Sequence, residues 1–370
     1  MKKILGNILL AAGFMMGIMG CGNQQTAATT AAGTENVSIN ETEAPEKKEE
    51  SAAKDTIVLR FGDTCTDESG DGQGNLKFIE LVEERTDGRV KIEYYPASQL
   101  GSDKALTQAC MDGTLDIAKC SAGNMSEFTD AMLFFDLPGL FHSAKHMRAV
   151  CNSEIMENVN KEMYDSIGLY ALMINIDSGE PRGIAGRGST VRVPADIAGK
   201  KIRSTGSSVE MALFDQWKAS SISLPFDEVY NGLNTNVIDA TYNQANIIDI
   251  NSMIEVTDYF TPVNQSWVAG AKLIGKSAIE NLGGLDSELF QIIKECAEET
   301  DTFKDENNII YTDASYKKMK EKGIDVVELT DEEQAQWDAA SEKVREQLVG
   351  DGKGISQELV DSIISIDPDR

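Results

Sequence analysis

The sequence predicts a two-lobed α/β protein with mixed, mostly parallel sheets and long connecting helices. Three observations carry this. Apolar residues at strand and helix spacing alternate along the chain, the alternation occurs twice, and a stretch of helical spacing beyond Asp286 is long enough to span two lobes. At 370 residues and 41% hydrophobic content the chain exceeds the usual size of one domain and can bury a substantial core.

The elements follow in order. Lys2 and Lys3 precede an apolar run over 4–20, too short and too rich in Gly and Met for a spanning helix but laid out as a secretory signal. It ends in IMGC at 18–21, which resembles the lipobox of bacterial lipoproteins, with Met19 where a small residue is usual. That resemblance implies a lipid on Cys21 and a protein held at the outer face of the cell membrane. Residues 22–55 are Thr, Ala, Glu, Asn, Ser and Lys with almost no large apolar side chain, so they cannot offset chain entropy and read as a flexible tether. Such a tether would hold the folded part on the order of 30 Å from the membrane.

In the folded part, Ile57, Leu59 and Phe61, and then Val90, Ile92 and Tyr94, alternate at the period of strands. Leu76, Ile79 and Glu83 mark a helix between them. Ser102 is the expected N-cap of a second helix that turns Leu106, Ala109 and Cys110 inward and stops at Gly113, before a strand at 116–120. This β-α-β-α-β order implies ligand contacts beyond the carboxyl ends of the strands. After an apolar strand at 169–176 the pattern repeats. Strands are expected at 200–203, 221–224 and 239–243, with helices through Val209, Ala212, Leu213 and Trp217 and through Phe226, Val229, Tyr230 and Leu233. The long helix carries Leu289, Ile293, Cys296, Thr300 and Phe303 on one seam.

Charge narrows the partners. A formal charge of −27 excludes a general nucleic-acid footprint. Within 181–203, however, Arg182, Arg187, Arg192, Lys200, Lys201 and Arg203 face only Asp196, a local focus able to capture an anion against the acidic field. With Cys21 assigned to lipid, the five remaining cysteines are odd in number and cannot all pair internally. Cys110 and Cys120 read as small core residues.

Six segments in order, YPASQLGS at 95–102, GTLDIA at 113–118, FDLPGLF at 135–141, DIAGKKIR at 196–203, PFDEVY at 225–230 and VIDATYN at 237–243, resemble the dicarboxylate-binding (DctP-type) solute-binding proteins of TRAP transporters. The resemblance implies a periplasmic-binding-protein-like fold that closes on a small organic anion bearing a carboxylate and delivers it to TRAP membrane permease subunits. It implies no catalysis and no cofactor. It places the ligand-pairing arginine on Arg203, a second arginine on Arg182 and an asparagine on Asn243. A guanidinium suits the task because it stays charged when desolvated and offers two parallel hydrogen bonds to a carboxylate. For Arg182 the segment GEPRG departs from the family, and Glu180 is an alternative partner.

Strand ends add Asp63 and Thr64, Ser121 and Asn124, and Asn175 and Asp177 as cleft-facing candidates, with Trp267 and Tyr242 as possible walls. The expected lobes are 56–179 plus about 268–307, and 180–267 plus about 308–370, after a signal at 1–20 and a lipidated tether at 21–55. A monomer is expected. His142 and His146 share a helix face, but Ser143 stands where a zinc protease has its glutamate and the chain has no other histidine, so they read as a partly exposed face rather than a zinc site. The run at 67–73 has the oxygen spacing of a calcium loop, but Phe78 stands where its bidentate glutamate belongs, so Gly70, Gly72 and Gly74 read as a mobile entry loop. The competing functional readings are an extracytoplasmic enzyme on sugar or organic acids, and a ligand-sensing subunit of a membrane receptor.

Overall fold

The computed structural model describes residues 56–366 apart from 177 and 178, together with Pro368. Cys21, the signal, the tether and Asp177 lie outside the described residues, as does the side chain of Asn175.

The chain opens with β1 (Ile57–Gly62), α1 (Gly70–Arg85), β2 (Val90–Tyr95), α2 (Asp103–Met111) and β3 (Ile117–Ser121), then α3 (Ala122–Met125), α4 (Ala144–Cys151), α5 (Glu154–Ile167) and β4 (Leu169–Ile176). The second unit runs β5 (Gly183–Gly186), α6 (Pro194–Ile197), β6 (Lys201–Ser204), α7 (Ser208–Gln216), β7 (Ser220–Ser223), α8 (Val229–Asn234), β8 (Ala240–Asn243), α9 (Ala245–Ile250) and β9 (Tyr259–Thr261). It is followed by β10 (Ala269–Gly275), α10 (Lys276–Asn281), α11 (Glu288–Glu321), β11 (Asp325–Val326), α12 (Asp331–Leu348) and α13 (Gln357–Ser365).

The strands form two mixed sheets, ordered β2-β1-β3-β10-β4 and β11-β9-β5-β8-β6-β7. Parallel pairing holds within each β-α-β run, with Phe61 opposite both Tyr94 and Ile117, and Arg203 opposite both Ile222 and Thr241. The antiparallel pairings are all made by β10, against β3 and β4, and by β5, against β8 and β9. β5 is the first strand added after the chain leaves the first sheet, and β10 the strand added on its return, whereas β11 re-enters the second sheet parallel to β9. Neither β5 nor β10 looks like a strand in sequence. β5 is GIAG, whose glycines leave room for the rings of Phe260 and Tyr259, and β10 is AGAKLIG with a lysine at its centre.

Ser102 accepts a hydrogen bond from the Ala105 amide at the start of α2, as expected, and Gly113 lies just past its end with φ +71°. The expectation for 67–74 is corrected. Gly70, Gly72 and Gly74 are the buried first turns of α1, capped by Ser69 Oγ at 2.9 Å from the Gly72 amide, and not an entry loop or a calcium loop. A Cβ on Gly72 would stand 2.1 Å from the Thr66 carbonyl oxygen, and one on Gly74 2.5 Å from Lys304 Cγ of α11. Close approach explains the glycines. Gly72→Ala is expected to destabilise the protein by about 1–3 kcal/mol in urea unfolding, because backbone must move to admit the methyl.

α11 is 34 residues long, is capped by Ser287, and packs on α1 and β4 at one end and on α9 and β11 at the other. Its buried seam is Ile293, Cys296 and Thr300, then Lys304 and Asn308. Phe303 is 42% exposed, a departure from the expected seam. The seam turns at that point because Lys304 is drawn inward to Asp71 of α1.

One apolar cluster fills the first sheet's outer side around Phe61, Phe78 and Ile293, and another fills the second sheet's around Val229, Ile248 and Phe260. A third runs from Leu106 and Phe135 through Trp217 and Tyr242 to Trp337 and Ile363. α12 packs on α7, whereas α13 lies against α4 and α5, with His146 Nε2 3.0 Å from the Ile363 carbonyl oxygen. His146 is therefore buried, against the expectation of a partly exposed face, and its Nδ1 sits 3.2 Å from that of His142. Among the described residues no three His, Cys, Asp or Glu are grouped to hold a metal, and Cys110, Cys120, Cys151 and Cys296 are free thiols.

Candidate functional site

Beyond the ends of β1 and β3 on one side, and of β6 and β8 on the other, lies a cleft. The carboxyl-end rule therefore locates it. Of the expected residues it is lined by Thr64, Ser121, Asn124, Arg182, Arg203 and Asn243. Sequence reasoning missed Asp103, Lys119, Phe226 and Gln244, which also line it.

Arg203 is the last-but-one residue of β6 and only 4% exposed. Its Nε donates to the Leu224 carbonyl at 2.9 Å, and its guanidinium carbon lies 6.0 Å from the Phe226 ring centroid. These contacts aim the fork. Its two terminal nitrogens have no hydrogen bond or ion pair among the described residues, although burial disfavours its charge and lowers its pKa. An arginine remains protonated even so. A desolvated guanidinium with an unclaimed fork is a carboxylate receptor in waiting.

Arg182 differs. It is 2% exposed, and it donates to Glu210, to Asp136 Oδ1 at 3.2 Å and to the Trp267 carbonyl at 3.4 Å, with its guanidinium carbon 5.4 Å from the Tyr242 ring centroid. Glu180 is not its partner. That carboxylate accepts from the Ala245 amide at 3.0 Å and from Tyr316 Oη at 2.8 Å. Burial, opposed by Arg182 and reinforced by the charge of Glu210, pushes Asp136 up to about 6.

Three other expected residues stand behind the cleft rather than on it. Asp63 is fully buried, accepting from the Cys65 amide, Asn75 Nδ2 and Tyr94 Oη at 2.8, 2.6 and 3.2 Å. Trp267 Nε1 donates to the Phe141 carbonyl at 2.9 Å. Tyr242 Oη lies 3.0 Å from Ser266 Oγ and accepts from the Ser266 amide at 3.1 Å. Each is a buried polar tip already paired, which explains its position in the core. The other four cations of the basic island are remote from the cleft. Arg192 forms a two-point pair with Glu333 at 2.6 and 2.8 Å, while Arg187 donates to the Leu233 carbonyl near the end of α8, and Lys200 and Lys201 donate to the Ser189 and Asn236 carbonyls.

Asp103, at the start of α2, accepts from Thr64 Oγ1 at 2.8 Å and Asn124 Nδ2 at 2.5 Å. Burial pushes it up to about 6. Lys119 is bound to Asp71, which also binds Lys304. Asn243 Oδ1 accepts from the Gln244 amide at 3.0 Å. Gln244 itself is fully buried, and neither its side-chain oxygen nor its nitrogen has a partner among the described residues.

The cleft can thus hold an anion on the Arg203 guanidinium, since its other charged lining groups, Arg182, Lys119 and Asp103, are engaged with protein partners. Residues 61–350 match the family described as bacterial extracellular solute-binding protein, family 7. The chain is 28% identical over 299 residues to the 2,3-diketo-L-gulonate-binding periplasmic protein YiaO of Escherichia coli, covering 79% of this chain and 87% of that protein. It is 28% identical over 308 residues to the C4-dicarboxylate-binding periplasmic protein DctP of Rhodobacter capsulatus, covering 80% and 88%. Its fold is similar to a TRAP periplasmic solute-binding protein from Xanthobacter autotrophicus solved with β-D-galacturonate, with TM-score 0.75, 24% identity, and coverage of 83% and 98%. No described helix is long and apolar enough to cross a membrane. The chain belongs to the bacterial extracellular solute-binding protein family 7, the TRAP-type proteins that bind solutes rather than transform them.

Proposed function

We propose that this protein captures a small organic anion by its carboxylate on Arg203 and delivers it to the membrane permease subunits of a TRAP transporter. The observation that carries the reading is the buried Arg203 fork with no partner among the described residues. The relatives' ligands, a diketo sugar acid, a C4-dicarboxylate and a uronate, have in common the carboxylate that such a fork reads.

The cleft lies between the strand ends of the two sheets, so a ligand bound to Arg203 and to the Asp103 side bridges them and favours their closed arrangement. We assign the first lobe to 56–179 and about 268–307, joined by α13, and the second to 180–267 and the chain from about 308 through α12. The body acts as a monomer outside the cytoplasm, held by a lipid on Cys21.

Arg203→Lys keeps the charge but loses the fork, and is expected to weaken binding of D-galacturonate or succinate, whichever binds the wild type, at least about tenfold without lowering the melting temperature. Isothermal titration calorimetry checks the affinity, and native mass spectrometry of the purified protein checks for a co-purified anion. Unchanged affinity in the variant refutes the assignment.

A further inference from the structure

We infer that Cys65 and Lys119 form a redox-sensitive pair on the β1–β3 side of the cleft, in which a hydroperoxide oxidises the thiol and the lysine amine then closes on it as a covalent sulfur–nitrogen bond. The bond stands on its own geometry; its consequence, weaker anion binding, rests on Arg203 as the carboxylate anchor.

The cysteines are the part of the chain that ligand capture leaves unused. Burial pushes the thiols of Cys110, Cys120, Cys151 and Cys296 up, which keeps them protonated and inert. Cys65 is placed differently. It lies in the loop after β1, is half-buried, and lines the cleft together with Lys119 of β3. Its backbone is pinned from both sides, the amide donating to Asp63 Oδ1 at 2.8 Å and the carbonyl accepting from the Ala97 amide at 2.8 Å. The sulfur is thereby held at the cleft wall.

The cysteine does not stand alone. Lys119 Nζ donates to Cys65 Sγ at 3.4 Å, and that sulfur lies 3.8 Å from Asp71 Oδ2. A cation beside a sulfur favours the thiolate, the form that attacks oxidants. Asp71 opposes this with one negative charge, but it is shared by the ammonium groups of Lys119 and Lys304. Lys119 is also crowded by its own kind. Lys272 Nζ, 2% exposed and without a hydrogen-bond partner among the described residues, has its charge disfavoured first by burial and then by Lys304 and Lys119. Repulsion is mutual, so ammonium groups gathered round one carboxylate give up a proton more easily than they would in water.

The chemistry balances in two steps. Hydrogen peroxide or an organic hydroperoxide transfers one oxygen to the Cys65 thiol and leaves as water or an alcohol, so the sulfur is oxidised to a sulfenic acid and the O–O bond is reduced. Lys119 sheds its ammonium proton to solvent, its amine attacks the sulfur, and the S–OH bond breaks. The departing hydroxide takes a proton from the nitrogen and leaves as water, and an S–N bond remains. Sulfenic acids condense with nitrogen in this way. The joined nitrogen is no longer basic, so the cleft loses one positive charge while Asp71 keeps Lys304. A dithiol reductant cleaves the bond, restores thiol and amine, and is itself oxidised to a disulfide. The pair makes capture of an anion conditional on reducing surroundings.

The test is peptide mapping by mass spectrometry on the full-length protein, first reduced and then treated with hydrogen peroxide. The expected product lacks a pair of hydrogens relative to the reduced protein, joins the peptides of Cys65 and Lys119 without retaining oxygen, and reverts with dithiothreitol. Cys65→Ser and Lys119→Arg are each expected to abolish it. The arginine keeps a cation beside Asp71 and should leave Cys65 as a sulfenic acid that dimedone captures. Calorimetry with D-galacturonate or succinate, whichever binds the reduced protein, is expected to give at least about fivefold weaker affinity for the linked form, recovered on reduction. If Cys65 instead pairs with Cys120 as a disulfide, which has the same mass, or stops at the sulfenic acid in the wild type, the sulfur–nitrogen bond is refuted. If the linked protein binds as tightly as the reduced one while Arg203→Lys weakens binding, the bond stands and its control over capture is refuted. If Arg203→Lys changes no affinity, the anchor fails, and the mapped peptides still decide the bond.

Discussion

Asp71→Asn is expected to destabilise the protein by about 3–5 kcal/mol in urea unfolding at pH 7, the usual cost of stranding buried charges. Asp71 is 2% exposed and binds both Lys119 of β3 and Lys304 of α11, which are 7% and 2% exposed. One carboxylate therefore ties the first helix, the central strand and the long helix together. Asparagine would keep the shape but remove the charge, and its amide donors would face ammonium groups. The neighbouring Lys272 sharpens the effect. Its Nζ lies 3.8 Å from the Phe78 ring centroid, and burial, followed by the charge of Lys304, lowers its pKa well below the usual lysine range. Burial already disfavours one positive charge there, so two more unbalanced ones add to the cost. The pH dependence has a definite sign. Burial alone would raise the Asp71 pKa, but the two ammonium groups override it and hold the carboxyl well below the usual range. Its contribution is thus full above the unfolded value near 4 and is lost as pH falls further, so the gap between wild type and variant should be flat from pH 7 to about 4 and close only in strong acid. A gap under about 1 kcal/mol at pH 7 would show that the cluster does not hold the fold.

This cluster marks where the sequence stops being legible. Period-two alternation, the Ser102 cap and the glycine after α2 located most elements of both β-α-β units, because those signals are local. What decides Lys304 is not local. It sits on α11 more than two hundred residues from Asp71, and periodicity alone placed Phe303 on the buried face instead. The three glycines of α1 read as a loop for the same reason, since their need for close backbone approach is set by α11 and by Thr66. In the cleft, Arg203, Arg182, Asn243, Ser121 and Asn124 were reachable through strand ends and motif resemblance. Gln244 and Asp103 sit one residue beyond a site residue or a helix cap that had been identified. Nothing in a single sequence shows that the side-chain amide of one has no partner among the described residues, or that the carboxyl of the other lines a cleft rather than open solvent.

Arg182→Met is the second large effect, expected at about 3–5 kcal/mol of stability at pH 7. The substitution leaves Glu210 and Asp136, both buried, facing each other without a cation. Glu210 does more than pair. One of its oxygens accepts from the Thr205 amide at 2.8 Å and from Thr205 Oγ1 at 2.7 Å, fixing the loop that follows β6 and Arg203. Arg182 therefore joins the 3-10 turn at Leu133–Asp136 to the start of α7 and to the backbone at Trp267. Its position at the cleft wall is explained by that junction, which stabilises the wall on which Arg203 is mounted. The variant should recover in acid. In the wild type Asp136 is already pushed up to about 6, mainly by burial and despite Arg182. Without the guanidinium, the pair would bind protons in the native state at pH values where the unfolded chain does not. Stability then rises as pH falls, because the folded state holds more protons than the unfolded one, and the penalty measured at pH 8 should shrink markedly by pH 5. Arg182→Met combined with Glu210→Gln should recover part of the loss at neutral pH by removing one stranded charge. If the single variant were as stable as wild type at pH 8 but unable to bind any carboxylate, Arg182 would be a ligand contact instead, and Arg203 would not be the sole anchor of the cleft.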